Sequence, residues 1–188
     1  MLLNQQTDFT VSSQLKIAII SDTHELLDEQ IKEAIKSCEF AIHAGDIGSS
    51  AVFNDMQPKS GHIIAVAGNN DKPYLWDFKD WNVVKSLPQQ IELSVPGGKI
   101  AIEHGHEHDI FKPSHDDLRA AHPQARLVIY GHTHIQVIDK DDPDKHVLNP
   151  GAAGHTRNKG GPSCIILSID NNSWDYEILK FPEEKLPS

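Results

Sequence analysis

The stretch Leu15-Lys16-Ile17-Ala18-Ile19-Ile20-Ser21-Asp22-Thr23-His24 decides how this chain is read. Its first six residues are mostly apolar and rich in β-branched side chains, the mark of a buried strand. Its last four are polar and include a carboxylate and an imidazole. The same grammar recurs four times. Phe40-Ala41-Ile42-His43-Ala44 leads into Gly45-Asp46, and Ile63-Ile64-Ala65-Val66-Ala67 into Gly68-Asn69-Asn70-Asp71. Lys99-Ile100-Ala101-Ile102-Glu103 leads into His104-Gly105-His106, and Leu127-Val128-Ile129-Tyr130 into Gly131-His132-Thr133-His134.

Helical patterns lie between these runs. Residues 28–36 place Ile31, Ala34 and Ile35 on one apolar stripe. Residues 114–121 open on a serine N-cap after Pro113, with Asp117 at the third position beyond it. Residues 49–57 are a weaker helix. The later chain changes character: residues 83–84, 90–95, 135–139, 147–148, 164–169 and 174–179 read as strands joined by turn-rich segments. Helices alternating with strands early, and strands following strands late, predict an α/β protein with two stacked sheets flanked by helices. Residues 1–14 are expected to be a polar, mobile leader before a single domain over residues 15–188. The aromatic stretch 74–81 is expected to be a packed loop.

The 188 residues carry 17 Lys and Arg against 27 Asp and Glu, a formal net charge of −10. That balance argues against a nucleic-acid partner, which needs a basic face, and against docking on an anionic membrane. No apolar run approaches the ~20 residues of a membrane helix. The N-terminal stretch, without Lys or Arg, does not read as a signal peptide. The two cysteines, Cys38 and Cys164, are too few for a disulfide framework or a thiolate zinc site, so a reduced, cytoplasmic protein is expected. The unusual count is 12 histidines.

In open α/β sheets ligands bind beyond the carboxyl ends of the strands, where all five polar clusters sit. Asp22 and His24, like His132 and His134, are two residues apart, and in extended backbone such pairs point the same way. Asp46, Asn69 and His104 complete a mixed oxygen and nitrogen set that suits Mn, Fe, Zn, Co or Ni, with Mn the first expectation. The set is too rich for one four-coordinate ion. Two ions sharing a carboxylate fit it, and two-metal sites clamp the attacking and leaving oxygens of phosphoryl transfer.

These residues, in this order, resemble the calcineurin-like metallophosphoesterase superfamily, and the size and the Gly68-Asn69-x-Asp71 form resemble its compact YfcE-like phosphodiesterase branch. The resemblance runs from about Leu15 to about Arg157 and includes Asn149-Pro150-Gly151. It implies a four-layer α-β-β-α sandwich of two mixed sheets. It implies one metal on Asp22, His24 and His134, a second on Asn69, His104 and His132, and Asp46 as the bridge. It also implies hydrolysis of small phosphodiesters by in-line attack of a metal-bridging hydroxide. The other readings are a phosphomonoesterase or nucleotide pyrophosphatase, or an interaction scaffold like a retromer subunit of the same fold. The partner expected is a small phosphate ester, with neither nucleic acid nor membrane, and a homo-oligomer is left open.

Glu25 stands where the family usually has glycine, and Asn70 where protein-phosphatase relatives have a histidine thought to protonate the leaving group. Asparagine cannot act as an acid. His106 is the candidate donor, Arg157 the candidate phosphate contact, and Asn70 and Asp71 complete the candidate catalytic set. His43 is expected in the core or behind the ligands, and His108 at the mouth of the site. His62, His115, His122 and His146 are expected at the surface.

Overall fold

The computed structural model describes residues 2–4, 9–10, 12–171 and 173–183. Among them the strands are β1 (Leu2–Leu3), β2 (Gln14–Ile20), β3 (Phe40–His43), β4 (His62–Ala65), β5 (Gln90–Val95) and β6 (Gly98–Glu103). They continue as β7 (Leu127–Ile129), β8 (Val137–Asp139), β9 (His146–Asn149), β10 (Ser163–Asp170) and β11 (Ser173–Lys180). The helices are α1 (Glu29–Lys36), α2 (Ala51–Asp55), α3 (Trp81–Ser86) and α4 (His115–Ala121).

Two mixed sheets result. The first has the order β1-β4-β3-β2-β10-β11, with β1 to β2 parallel and β10 and β11 antiparallel. The second has the order β5-β6-β7-β9-β8, with β6, β7 and β9 parallel between antiparallel edges. The register pairs Ile20 with His43 and His43 with Ala65, so β2, β3 and β4 end level with one another. Their polar continuations therefore leave the sheet at one rim. In the second sheet Ile102 pairs with Ile129, which brings the continuations of β6 and β7 to a common edge.

Strand alternation divides the apolar residues between layers. Ile17, Ile19, Phe40 and Ile42 face Ile100, Ile102, Leu127 and Ile129 across the inter-sheet core. Ala18, Ile20 and Ala41 face the other way, onto Ile31 and Ile35 of α1, Val52 and Phe53 of α2 and Val84 of α3. Leu118 of α4 covers Ala101, Val128 and Val147 on the outer face of the second sheet. The layers are thus helices, sheet, sheet, helix. Fully burying a side chain such as Ile31 stabilises by about 1.5–3 kcal/mol.

Helix α1 begins one residue after the predicted start because Asp28 is its N-cap, accepting from the Gln30 and Ile31 amides. Ser114 caps α4 by accepting from the Asp117 amide. Residues 83–84, predicted as strand, lie inside α3. The β-branched pair favours a strand locally, but Val84 is buried beneath the first sheet's helical layer and packing overrides propensity. The stretch expected to be a polar leader contributes structure where it is described: Leu2–Leu3 pairs parallel to His62 and Ile63, and buried Phe9 stacks on Phe40 at 4.2 Å. The stretch 74–81 is packed in part, with Trp76 and Asp80 buried. Trp81 donates its indole N–H to the Trp76 carbonyl, while Tyr74 and Phe78 stand out. No helix among the described residues is long and apolar enough to cross a membrane.

Candidate metal centre

The paired ligands converge by a route other than the predicted one. Asp22, His24, Asp46, His132 and His134 have φ of 53°, 44°, 55°, 69° and 56°, so each sits in the left-handed region instead of extended backbone. Such residues cost on the order of 1–3 kcal/mol each and persist where the surroundings over-determine them. Two glycines permit the crowding. A Cβ at Gly68 would lie 2.2 Å from Asp46 Oδ1, and one at Gly45 would lie 2.6 Å from His104 Nδ1.

The turns bring seven side chains together. Asp22, His24 and His134 each offer a ligand atom within 4.8 Å of the others, and so do Asp22, Asp46 and His104. Asp22 Oδ1 lies 3.4 Å from His134 Nε2 and 4.0 Å from His104 Nε2. Asp46 reaches both sides as well, with Oδ1 3.4 Å from His104 Nε2 and Oδ2 3.8 Å from His24 Nε2. His24 and His134 meet at 3.2 Å between their Nε2 atoms. Asn69 Oδ1 lies 3.0 Å from His132 Nδ1. Both carboxylates, Asp22 and Asp46, therefore stand between the two groups of imidazoles.

Three of these imidazoles are oriented from behind. His104 donates its Nδ1 proton to the Ala44 carbonyl at 2.7 Å, and His134 its Nδ1 proton to Thr156 at 3.0 Å. His132 donates from Nε2 to the Ile110 carbonyl at 2.9 Å. A carbonyl can only accept, so in each ring the other nitrogen is the one that faces the cluster. This is how metal-ligating histidines are commonly held. Sequence reading missed these three carbonyls, because a backbone acceptor carries no residue-type signal.

Several buried atoms have no partner: both Asp22 carboxylate oxygens and His104 Nε2 lack any hydrogen bond. Burying a bare carboxylate costs several kcal/mol unless a counter-charge meets it. Desolvation accordingly raises the Asp22 pKa to about 7, against the lowering pull of His104. Burial disfavours a charged His104, but the Asp46 carboxylate 3.4 Å from its Nε2 and the Asp22 carboxylate 4.0 Å away outweigh it and raise its pKa to about 9. Asp46 is pushed up by burial, yet His104 and the Asn70 donors bring it well below the carboxylate range. Burial and the Arg157 charge lower His134 to about 4. Buried carboxylate oxygens and imidazole nitrogens turned on one another fit a divalent cation.

The other candidate residues divide. Asn70 donates to Asp46 twice, from its amide at 2.8 Å and its side chain at 2.6 Å, and so positions that carboxylate. Asp71 is not aimed at the cluster. It accepts from the amides of Ile47, Gly48 and Gly68 and from the Trp76 indole, tying the Asp46 and Asn69 loops together. His106 lies beside the cluster, its ring centroid 5.4 Å from that of His104. Arg157 Nη2 comes within 3.4 Å of His134 Nε2. Buried His43 accepts from the Gly45 amide through Nδ1 and meets Thr23 Oγ1 through Nε2 at 2.9 Å. Asn149 donates to the Gly131 carbonyl at 2.6 Å, which fixes the last motif loop.

Glu25 is exposed with φ of 78°, which is why glycine suits that position. Four histidines expected at the surface are not fully there. His122 is buried against Glu103 at 3.0 Å, while His62, His115 and His146 are half-buried. His115 bonds Asp139 and Tyr130, and His146 bonds the Tyr176 hydroxyl. Their partners lie far off in sequence, so composition gave no sign of them. His108, placed at the mouth, lies 2.8 Å from Glu103 Oε1.

Comparison with known proteins places the fold and the family. The chain is 33% identical over 178 residues to Phosphodiesterase MJ0936 of Methanocaldococcus jannaschii, covering 88% of this chain and 100% of that one. A crystal structure described as a novel archaeal phosphodiesterase superposes with a TM-score of 0.62 at 28% identity, covering 88% of this chain and 100% of that one. Vps29 of Chaetomium thermophilum shares the fold with a TM-score of 0.68 at 16% identity, covering 93% and 100%. Residues 15–172 match the calcineurin-like phosphoesterase superfamily domain, and the chain belongs to that superfamily.

Proposed function

We propose that the chain is a dinuclear metal-dependent phosphodiesterase acting on small phosphodiesters. The observation that carries this reading is the bare, buried Asp22 carboxylate facing His104 Nε2 at the centre of a mixed donor set. One ion would be held by Asp22, His24 and His134, the other by Asn69, His104 and His132, with Asp46 between them. When bound, such ions polarise phosphoryl oxygens and make water acidic enough to attack near neutral pH.

The remaining work falls to the chain's own groups. Asn70 holds Asp46 in place, and three backbone carbonyls hold the imidazoles. Arg157, at 3.4 Å from His134, is placed to give its other N–H groups to a phosphate oxygen. His106 is the nearest imidazole outside the ligand set. Burial and the His104 charge hold its pKa below the ordinary value, so at pH 7 it is neutral and a poor acid. Asn70 has no proton to give. Both facts favour esters whose leaving oxygen needs little protonation. The two free, buried cysteines fit the reducing cytoplasm expected from sequence.

The test is turnover by metal-reconstituted protein of an aryl phosphodiester, an aryl monoester, a pyrophosphate and a phosphopeptide, with metal counted per chain. The diester is expected to have the highest kcat/KM, with two ions bound. A better monoester, pyrophosphate or phosphopeptide overturns the diesterase reading, and saturation at one ion overturns the dinuclear one.

A further inference from the structure

Of the large apolar side chains that stand exposed among the described residues, all but Ile178 on β11 lie in loops that follow the polar motifs. Leu26 follows the first motif, Tyr74 and Phe78 the third, Ile110 and Phe111 the fourth, and Ile135 the fifth. Tyr74, Phe78 and Phe111 are 77%, 80% and 80% exposed. Single exposed apolar residues need no explanation, but several of them on four loops that each continue a polar motif do.

Two of these segments are fastened to the metal motifs. The Ile110 carbonyl takes the His132 Nε2 proton at 2.9 Å, so Phe111 is one residue from a ligand contact. Asp109 Oδ1 accepts from the Phe111 and Lys112 amides at 2.7 and 2.8 Å, an Asx turn that fixes the backbone presenting the ring. The segment bearing Tyr74 and Phe78 is pinned by Trp76, whose indole donates to Asp71 Oδ1 at 3.2 Å. Phe78 is further braced edge-on by Trp81, 4.9 Å between centroids. Charge supplies the third argument. The chain carries a net −10, and exposed Glu25, Glu107 and Asp109 stand in these same loops. Lys72, Lys79 and Lys112 in the same loops largely offset these charges, and apolar contact is the affinity left beyond the phosphate itself.

We infer that this rim seats an apolar alcohol of the substrate, so that the substrate class is a small phosphodiester in which one ester group is aryl or a longer unsubstituted alkyl chain. The inference rests on the diesterase reading above and names the substrate of that same site. The occupant is the substrate's own ester group, because the apolar segments are continuous with the ligand loops.

The test uses p-nitrophenyl phosphodiesters that differ only in the second alcohol, methyl, butyl or phenyl. In each, water adds to phosphorus and the bond to p-nitrophenol breaks. The products are p-nitrophenolate and the methyl, butyl or phenyl monoester, with two protons passing to buffer. The leaving group is constant, so any trend reports the rim. kcat/KM is expected to rise about tenfold from methyl to phenyl. Phe111→Ser and Tyr74→Ser should shrink the phenyl-to-methyl ratio, while Ile178→Ser, on β11, should not. Calorimetry should find diphenyl phosphate, which lacks a good leaving group, bound more tightly than dimethyl phosphate. A flat series with the methyl ester still cleaved overturns the rim and leaves the diesterase reading standing. Hydrolysis of no member overturns both. A flat series together with a solution dimer that Phe111→Ser dissociates overturns the inference in favour of a second copy of the chain.

Discussion

Histidine stands beside aspartate both at the corner of α4 and β8 and at the strand ends, and the two regions differ in one respect. At the corner of α4 and β8, His115 bonds Asp139 through Nδ1 and the Tyr130 hydroxyl through Nε2, and Arg119 bonds the second Asp139 oxygen. Every polar atom in that chain of contacts has a protein partner. At the strand ends, Asp22 and His104 have none for the atoms that face each other. Asp71, buried a few ångströms of backbone away, repeats the contrast, since four donor groups surround it. An aspartate stands at the centre of all three places. What separates a structural pair from a metal site is whether the protein itself supplies the donors.

The contrast breaks if ligand removal at the strand ends behaves like an ordinary core mutation. Asp46→Asn and His132→Ala are expected to lower diester kcat/KM by about 10³-fold or more, beyond the 10–100-fold typical of groups behind the ligands. Their thermal unfolding should stay within a few degrees of the unmutated protein. Near-normal turnover under saturating metal would mean the site is elsewhere.

The next effect concerns acid. Burial lowers the His43 pKa from 6.5 to about 3, with its Nδ1 accepting from the Gly45 amide. A histidine lowered on folding contributes stability that is complete above the unfolded value and is lost as pH falls from 6.5 through about 3. The loss should reach about 2–3 kcal/mol by pH 4.5. Urea unfolding between pH 7 and 4.5 measures it, and His43→Gln should flatten that slope. An unchanged slope would place the acid sensitivity in other groups.

Metal uptake sharpens the contrast further. Desolvation holds Asp22 protonated up to about 7, and the facing carboxylates hold His104 protonated to about 9. A cation must displace those protons, so apparent affinity should rise about tenfold per pH unit for each proton released between pH 6 and 7. Calorimetry in two buffers of different ionisation enthalpy counts the protons. Zero release would contradict the assignment of Asp22 as a ligand.

The smallest effect belongs to the satisfied corner. His115→Ala should cost about 1–2 kcal/mol of stability and leave metal content unchanged. Loss of metal in that variant would show that the corner and the strand ends are one unit.

The strand-then-polar grammar was legible because it is local: each apolar run and its polar tail are contiguous. The level ending of β2, β3 and β4 follows from parallel pairing and was legible in outline. The backbone of the ligands was not, because positive φ at Asp22 or His134 breaks residue preference and is imposed by contacts from other loops. Nor was the burial of His122, which depends on Glu103, nor the helix at Val83 and Val84, where packing opposes propensity. The donors to Asp71 were not legible either, since three of the four are backbone amides of other residues.

The division of the candidate ligands between the sheets bears on folding order. Asp22, His24, Asp46 and Asn69 leave the first sheet, whereas His104, His132 and His134 leave the second. His24 and His134, which touch at 3.2 Å, are 110 residues apart along the chain. Neither half of the polypeptide can assemble the site, and closing so long a loop is slow and comes late. An ion that recognises only the docked sheets adds nothing to the encounter that joins them. Its grip would be felt on the way out, as a slower unfolding rate at unchanged refolding speed.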